Sequence, residues 1–144
     1  MAGHRYLFLL FCLFGFSHLS GQMVVGADTL IGNEWITYGQ KYFEFTIDID
    51  GVYRIPQSTL TSAGVSSSAT GSEIRIYSLG QQVPLYVSTD GVLGANDFIE
   101  FYGFKNKSEL DWHLFRHPDT DLLHPGHSMY TDQRVYYLTT EGDE

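Results

Sequence analysis

The chain has 144 residues, 43% of them hydrophobic and 17% charged, and its 17 acidic residues against 8 Lys and Arg give a formal net charge of −9 at pH 7. That balance argues against a nucleic-acid partner, because phosphate binding needs clustered Lys and Arg. Cys12 is the only cysteine, so an intrachain disulfide and a Cys-based metal cluster are excluded.

At the amino terminus, His4 and Arg5 precede the unbroken apolar run Leu7 to Phe16, and small and polar residues follow from Ser17 to Gln22. This predicts a secretory signal peptide over residues 1–21, cleaved near Gly21. The run is about ten residues, well short of the roughly 20 needed to span a bilayer. With no second apolar segment downstream, the mature chain is expected to be exported without a membrane span. Cys12 lacks the preceding small residues of a lipoprotein cysteine, and its removal with the signal peptide leaves no thiol nucleophile. Roughly 120 residues then remain, enough for one domain with its own core.

Residues 22–33 are small, Gly-rich and aperiodic, the pattern of a leader, and the folded domain is expected over residues 34–140. From Tyr42 the pattern has period two, with Phe43, Phe45, Ile47 and Ile49 on one face and Tyr42, Glu44, Thr46 and Asp48 on the other. Asp50-Gly51 suggests a hairpin. A two-residue turn would place Arg54 on the buried face, whereas a three-residue loop, Ile49-Asp50-Gly51 with Gly51 left-handed, pairs Ile47 with Tyr53 and Phe45 with Ile55. Pro56 stops the second strand, and Gln57 to Ala63 followed by Gly64 predicts one or two helical turns with a glycine stop. Ser66 to Ser72 is expected to be a loop.

Glu73 to Leu79, with Ile74 and Ile76 inward, and Gln82 to Ser88, with Val83, Leu85 and Val87 inward, form a second hairpin candidate through Gly80-Gln81. Pro84 lacks a backbone donor, so its strand belongs at a sheet edge or at a bulge. Asp90 to Asn96 predicts a turn, Phe98 to Tyr102 a strand with Ile99 and Phe101 inward, and Arg134 to Thr139 the last strand. Recurring strands with one short helix predict an all-β fold, an antiparallel sandwich or open barrel.

Five blocks occur in order: DGVYRI at Asp50 to Ile55, LTSAGV at Leu60 to Val65, IRIYSLGQQVPL at Ile74 to Leu85, DFIEFYG at Asp97 to Gly103 and YTDQRVYYLT at Tyr130 to Thr139. In this set the chain resembles the amino-terminal domain of gingipain-type cysteine peptidases of Bacteroidetes, especially the sortase of the type IX secretion system. The resemblance spans residues 34–140. It implies a longer parent in which this domain precedes a caspase-like catalytic domain with a His and Cys pair, residues 141–144 beginning the linker to it. It also implies a location in the periplasm or at the outer-membrane surface. This chain is then expected to be noncatalytic, without cofactor or metal. Its implied role is docking, folding assistance or latency toward the catalytic domain of the same parent. An inhibitory loop would offer a basic residue to a gingipain-like specificity pocket, and Lys105, Lys107 and Arg116 lie in the expected exposed stretch. Ordinary surface charge is the plainer account of all three.

Residues 111–127 hold His113, His117, His124 and His127 beside Asp111, Asp119 and Asp121, donors that could bind zinc. Pro118 and Pro125 interrupt the segment, so a His-rich surface loop accounts for it better. Asp90, Asn96 and Asp97 depart from the EF-hand spacing and fit a turn. His124, His127, Ser128 and Asp132 lack a nucleophile elbow. Asn106-Lys107-Ser108 has the form of a glycosylation acceptor but suits plain loop chemistry. A free-standing exported β-sandwich binding module for a glycan or a surface protein is the alternative function, with Trp35, Tyr38, Tyr102, Trp112 and Tyr136 as candidate surface aromatics.

Overall fold

The computed structural model describes residues 23–25, 28–30 and 33–141. The expected signal peptide, Cys12 and residues 142–144 of the expected linker lie outside the described residues. The chain divides into two compact units between Asn33 and Glu34. In the first, β1 (Met23–Val25) and β2 (Asp28–Leu30) form an antiparallel pair within the stretch expected to be a leader.

The second unit is all-β, with two antiparallel sheets. One has four strands in the order β3 (Phe43–Ile47), β9 (Arg134–Thr139), β5 (Arg75–Ser78), β6 (Gln81–Gln82), and the other has three in the order β4 (Gly51–Pro56), β8 (Phe98–Gly103), β7 (Leu85–Val87). The core between them includes Ile47, Ile74, Ile76, Ile99, Phe101, Tyr136 and Leu138, with Leu60, Val65 and Leu93 from the connections. Phe45 and Phe101 both meet the Tyr136 ring, at 5.6 and 5.8 Å. Among the described residues no helix is long and apolar enough to cross a membrane.

The first expected hairpin is not formed. β3 pairs with β9 and β4 with β8, so residues 48–50 carry the chain from one sheet to the other as an arch. Alternation places Phe45 and Ile47 on the core side of one sheet and Tyr53 and Ile55 on the core side of the opposite one. A cross-strand hairpin and a cross-core arch satisfy the same pattern equally well. Two details of the expectation fall with the hairpin: Ile49 is 67% exposed at the arch, and Gly51 is not in the left-handed region but extends into β4. The Tyr53 hydroxyl donates to the Ile49 carbonyl at 2.7 Å and closes the arch. Gly103, paired with Gly51, packs so tightly there that a Cβ would lie 2.4 Å from Ile47 Cδ1.

The second hairpin forms for two residue pairs only, Ser78 with Gln81 and Tyr77 with Gln82. Its turn has Leu79 at φ 50° and Gly80 at φ 76°, the signature of a type I′ turn. The Val83 N–H still reaches the Ile76 carbonyl at 2.8 Å. Pro84, with no donor, marks where the chain crosses to the other sheet as β7, so β6 and β7 are both edge strands. The expected helix is α1 (Gln57–Ser62), burying Leu60. It ends at Gly64, φ 97°, where the Val65 N–H bonds the Leu60 carbonyl across the glycine.

Candidate functional site

β8 and β9 are joined by residues 104–133, which contain short 3₁₀ turns and one helical turn, α2 (Pro118–Asp121). A connection of this length in a small domain is usually functional. Buried polar residues hold it in place. Asn106 donates its backbone N–H to the Asp132 carbonyl at 2.7 Å and its Nδ2 to the Thr131 carbonyl at 3.1 Å. The Ser108 hydroxyl donates to the Pro125 carbonyl at 2.7 Å. Asp111, only 2% exposed, accepts from the Met129 N–H at 2.8 Å and the Ser128 hydroxyl at 3.4 Å. Arg134 Nη2 reaches both Glu109 carboxylate oxygens, at 3.0 and 3.1 Å, tying the start of the connection to β9.

The three basic residues picked from the sequence do not converge. Lys105 and Lys107 brace the arch. The Lys105 N–H donates to Asp50 Oδ1 at 2.7 Å, and Lys107 Nζ lies 3.0 Å from Asp50 Oδ2 and 5.1 Å from the centre of the Phe104 ring. Lys105 Nζ lies 3.2 Å from Asp132 Oδ1 and 2.9 Å from His127 Nδ1. The same His127 nitrogen is 3.3 Å from Asp132, so it can accept from the ammonium or donate to the carboxylate but not both. These contacts hold two carboxyls below the usual range: Asp50 chiefly through the Lys105 N–H and then Lys107, Asp132 chiefly through the Lys105 ammonium and then His127. Arg116, by contrast, is exposed, with no hydrogen-bond or ion-pair partner among the described residues.

The connection also exposes several large apolar side chains. Trp112, Leu114, Leu123, Met129 and Tyr130 all stand in solvent, Leu123 88% and Tyr130 77% exposed. Phe115, Leu122, Leu123 and Met129 line a cleft of about 330 Å³ with His124 and His127 at its wall. Large apolar side chains exposed on a segment pinned by buried polar groups can bury against a partner.

Several of the other candidates serve the fold. Asp111 is occupied by its hydrogen bonds to Met129 and Ser128, and Asp121 accepts from the His117 N–H at 3.1 Å. Among the described residues, no three His, Cys, Asp or Glu converge as metal ligands. The His113 side chain lies outside the described residues. Asp97 accepts from the Ser88 hydroxyl and the Gly94 N–H, both at 2.7 Å; these bonds, the hydroxyl first, hold its carboxyl low and pin the turn before β8. The Asn106 amide is 8% exposed and engaged, unlike an accessible glycosylation acceptor. Of the candidate surface aromatics, Tyr136 is a core residue at 1% exposure, and Trp35 stacks on Tyr77 and Tyr137 at 5.3 and 5.2 Å. Tyr38, Tyr102 and Trp112 are exposed.

Sequence reasoning missed the anchoring roles of Asn106, Asp111 and Arg134. The alternation along β9 offered one signal, since it points Arg134 inward with Tyr136 and Leu138. Searched against protein-family models, curated proteins and solved structures, the chain matches none of them.

Proposed function

We propose that this chain is the noncatalytic amino-terminal domain of an exported gingipain-like cysteine peptidase, close to the type IX secretion sortase, and that it docks on the catalytic domain of the same parent. The observation that carries this reading is the connection between β8 and β9: anchored by buried polar groups, it displays Trp112, Leu114, Leu123, Met129 and Tyr130 outward. The sequence resemblance supports it from another side. Four of its five blocks include core strands, whereas residues 104–129, which carry the exposed Trp112, Leu114, Leu123 and Met129, lie between blocks. A shared scaffold with its own docking segment fits a domain matched to one partner. Where latency uses a basic side chain, Arg116 supplies it, since Lys105 and Lys107 are committed to Asp50 and Asp132.

The test is to mix the purified chain with the separately produced downstream peptidase domain and follow binding and peptidase activity. Binding that Leu123→Asp and Tyr130→Asp each weaken at least about tenfold, with Arg116→Ala relieving inhibition, is the expected result. No binding by the wild-type chain would sink the proposal.

A further inference from the structure

A second cleft, of about 430 Å³, opens where the chain leaves β6 for β7 and is lined by Leu79, Gln81, Gln82, Pro84, Tyr102 and Phe104, among others. It falls in the size range of about 300 to 1,000 Å³ in which small-molecule sites occur. None of these residues belongs to the apolar surface assigned to docking.

Two independent features mark it as built. Leu79 sits at φ 50°, a left-handed conformation that a bulky side chain rarely adopts, and its side chain stays exposed at the cleft. Type I′ turns favour Asn, Asp or Gly at this position, so local turn chemistry gives no reason for a leucine. The second feature is the fixing of the aromatic wall. Tyr102 and Phe104 are both exposed with ring centroids 4.8 Å apart, and the backbone of Phe104 is gripped on both sides by the Tyr136 hydroxyl. A backbone fixed at the base of a ring limits the freedom it loses on contact with a ligand.

The chemistry of the lining selects the ligand. Arg134 also reaches the cleft, but its Nη2 is held by both oxygens of Glu109, its unpartnered Nε is buried, and the chain carries a net −9. An anionic ligand finds no spare cation. An extended peptide finds little backbone to pair with: β6 is two residues long, the Val83 N–H is taken by Ile76 and Pro84 has none. Recognition falls to side chains. Tyr102 and Phe104 offer exposed ring surface, the Phe104 ring also meeting the Lys107 ammonium 5.1 Å from its centre, and the exposed amides of Gln81 and Gln82, which bond no side chain among the described residues, each donate and accept. Apolar ring faces edged by groups that both donate and accept hydrogen bonds describe a neutral pyranose sugar.

We propose that this cleft is a binding subsite for a neutral glycan, stacked on Tyr102 and Phe104 and hydrogen-bonded through its hydroxyls by Gln81 and Gln82. The experiment is an NMR titration of the whole chain with neutral glucan, mannan and galactan hexasaccharides, each to millimolar concentration. Expected is saturable binding of at least one, with shifts centred on Gln81, Gln82, Tyr102 and Phe104. Tyr102→Ala should weaken it at least tenfold, whereas Tyr102→Phe, which keeps the ring, and Tyr86→Ala, outside the cleft, should leave it within about twofold. Should Tyr102→Ala not fold, Gln81→Ala with Gln82→Ala on the exposed edge takes its place with the same expected loss. Failure of all three sugars, undiminished binding by these variants, or shifts confined to residues outside the cleft would overturn the proposal. So would displacement of the bound sugar by none of the neutral sugars but only by an apolar peptide.

Discussion

The hydroxyl of Tyr136 accepts the Phe104 N–H at 2.8 Å and donates to the Phe104 carbonyl at 2.9 Å, so a core residue of one sheet holds both backbone groups of the first residue beyond the other. The Tyr136 ring fills the core while its polar end fixes where the long connection departs.

Tyr136→Phe keeps the ring and removes both bonds. We expect a loss of about 1 to 3 kcal/mol, because a donor and an acceptor are left without their partner. Urea unfolding with an unchanged slope checks it; a loss under about 0.5 kcal/mol would show that solvent replaces the hydroxyl.

Gly103 is required by space rather than by dihedral angle, since an added Cβ would meet Ile47 Cδ1 at 2.4 Å and the Tyr53 ring at 2.9 Å. Gly103→Ala is expected to cost about 1 to 3 kcal/mol by overpacking. Ile47→Val deletes the nearer atom, so the double variant should be more stable than the sum of the single losses predicts. Strict additivity in a double-mutant cycle would refute the assignment.

Three carboxyls, Asp50, Asp97 and Asp132, titrate below their ordinary value of 3.8 in the folded chain. Their contribution to stability is therefore complete above that value and disappears as pH falls through the lower folded values. Tyr137 behaves oppositely: burial first, and Glu44 next, raise its phenol above 10.0, so its contribution holds below that pH and is lost as pH climbs through the raised value. Melting temperatures from pH 2 to 11 should fall at both ends. Asp97→Asn should flatten the acid limb, and Tyr137→Phe the alkaline one.

Leu79→Gly should stabilise the chain by about 1 kcal/mol, because glycine adopts a left-handed conformation without the side-chain clash. A rise in melting temperature checks it. Destabilisation instead would mean that burial of the leucine outweighs its backbone strain.

Strand positions were legible where alternation was strong: Phe43 to Ile47, Phe98 to Gly103 and Arg134 to Thr139 are strands, with Ile99 and Phe101 inward. The glycine stop after α1 was equally legible, because Gly64 answers a local need. Partnering was not. Period two states which face of a strand is buried and is silent on which strand lies beside it, so the arch at residues 48–50 looked like a hairpin. The connection was harder still, for the roles of Asn106, Asp111 and Arg134 are set by groups distant in sequence. Lys105 and Lys107 looked like free surface charge for the same reason: Asp50, which holds both, lies more than fifty positions earlier.

The order of strands in the larger sheet has a consequence for assembly during synthesis. β9, the last of the described strands, occupies an interior place between β3 and β5. Until residues 134–139 emerge, β3 has no neighbour in that sheet and β5 has only two residues of β6. The larger sheet therefore cannot close progressively behind the ribosome. The facing edges of β3 and β5 wait unpaired for β9, and sequence-distant pairing of this kind makes folding slow and leaves the nascent chain open to aggregation.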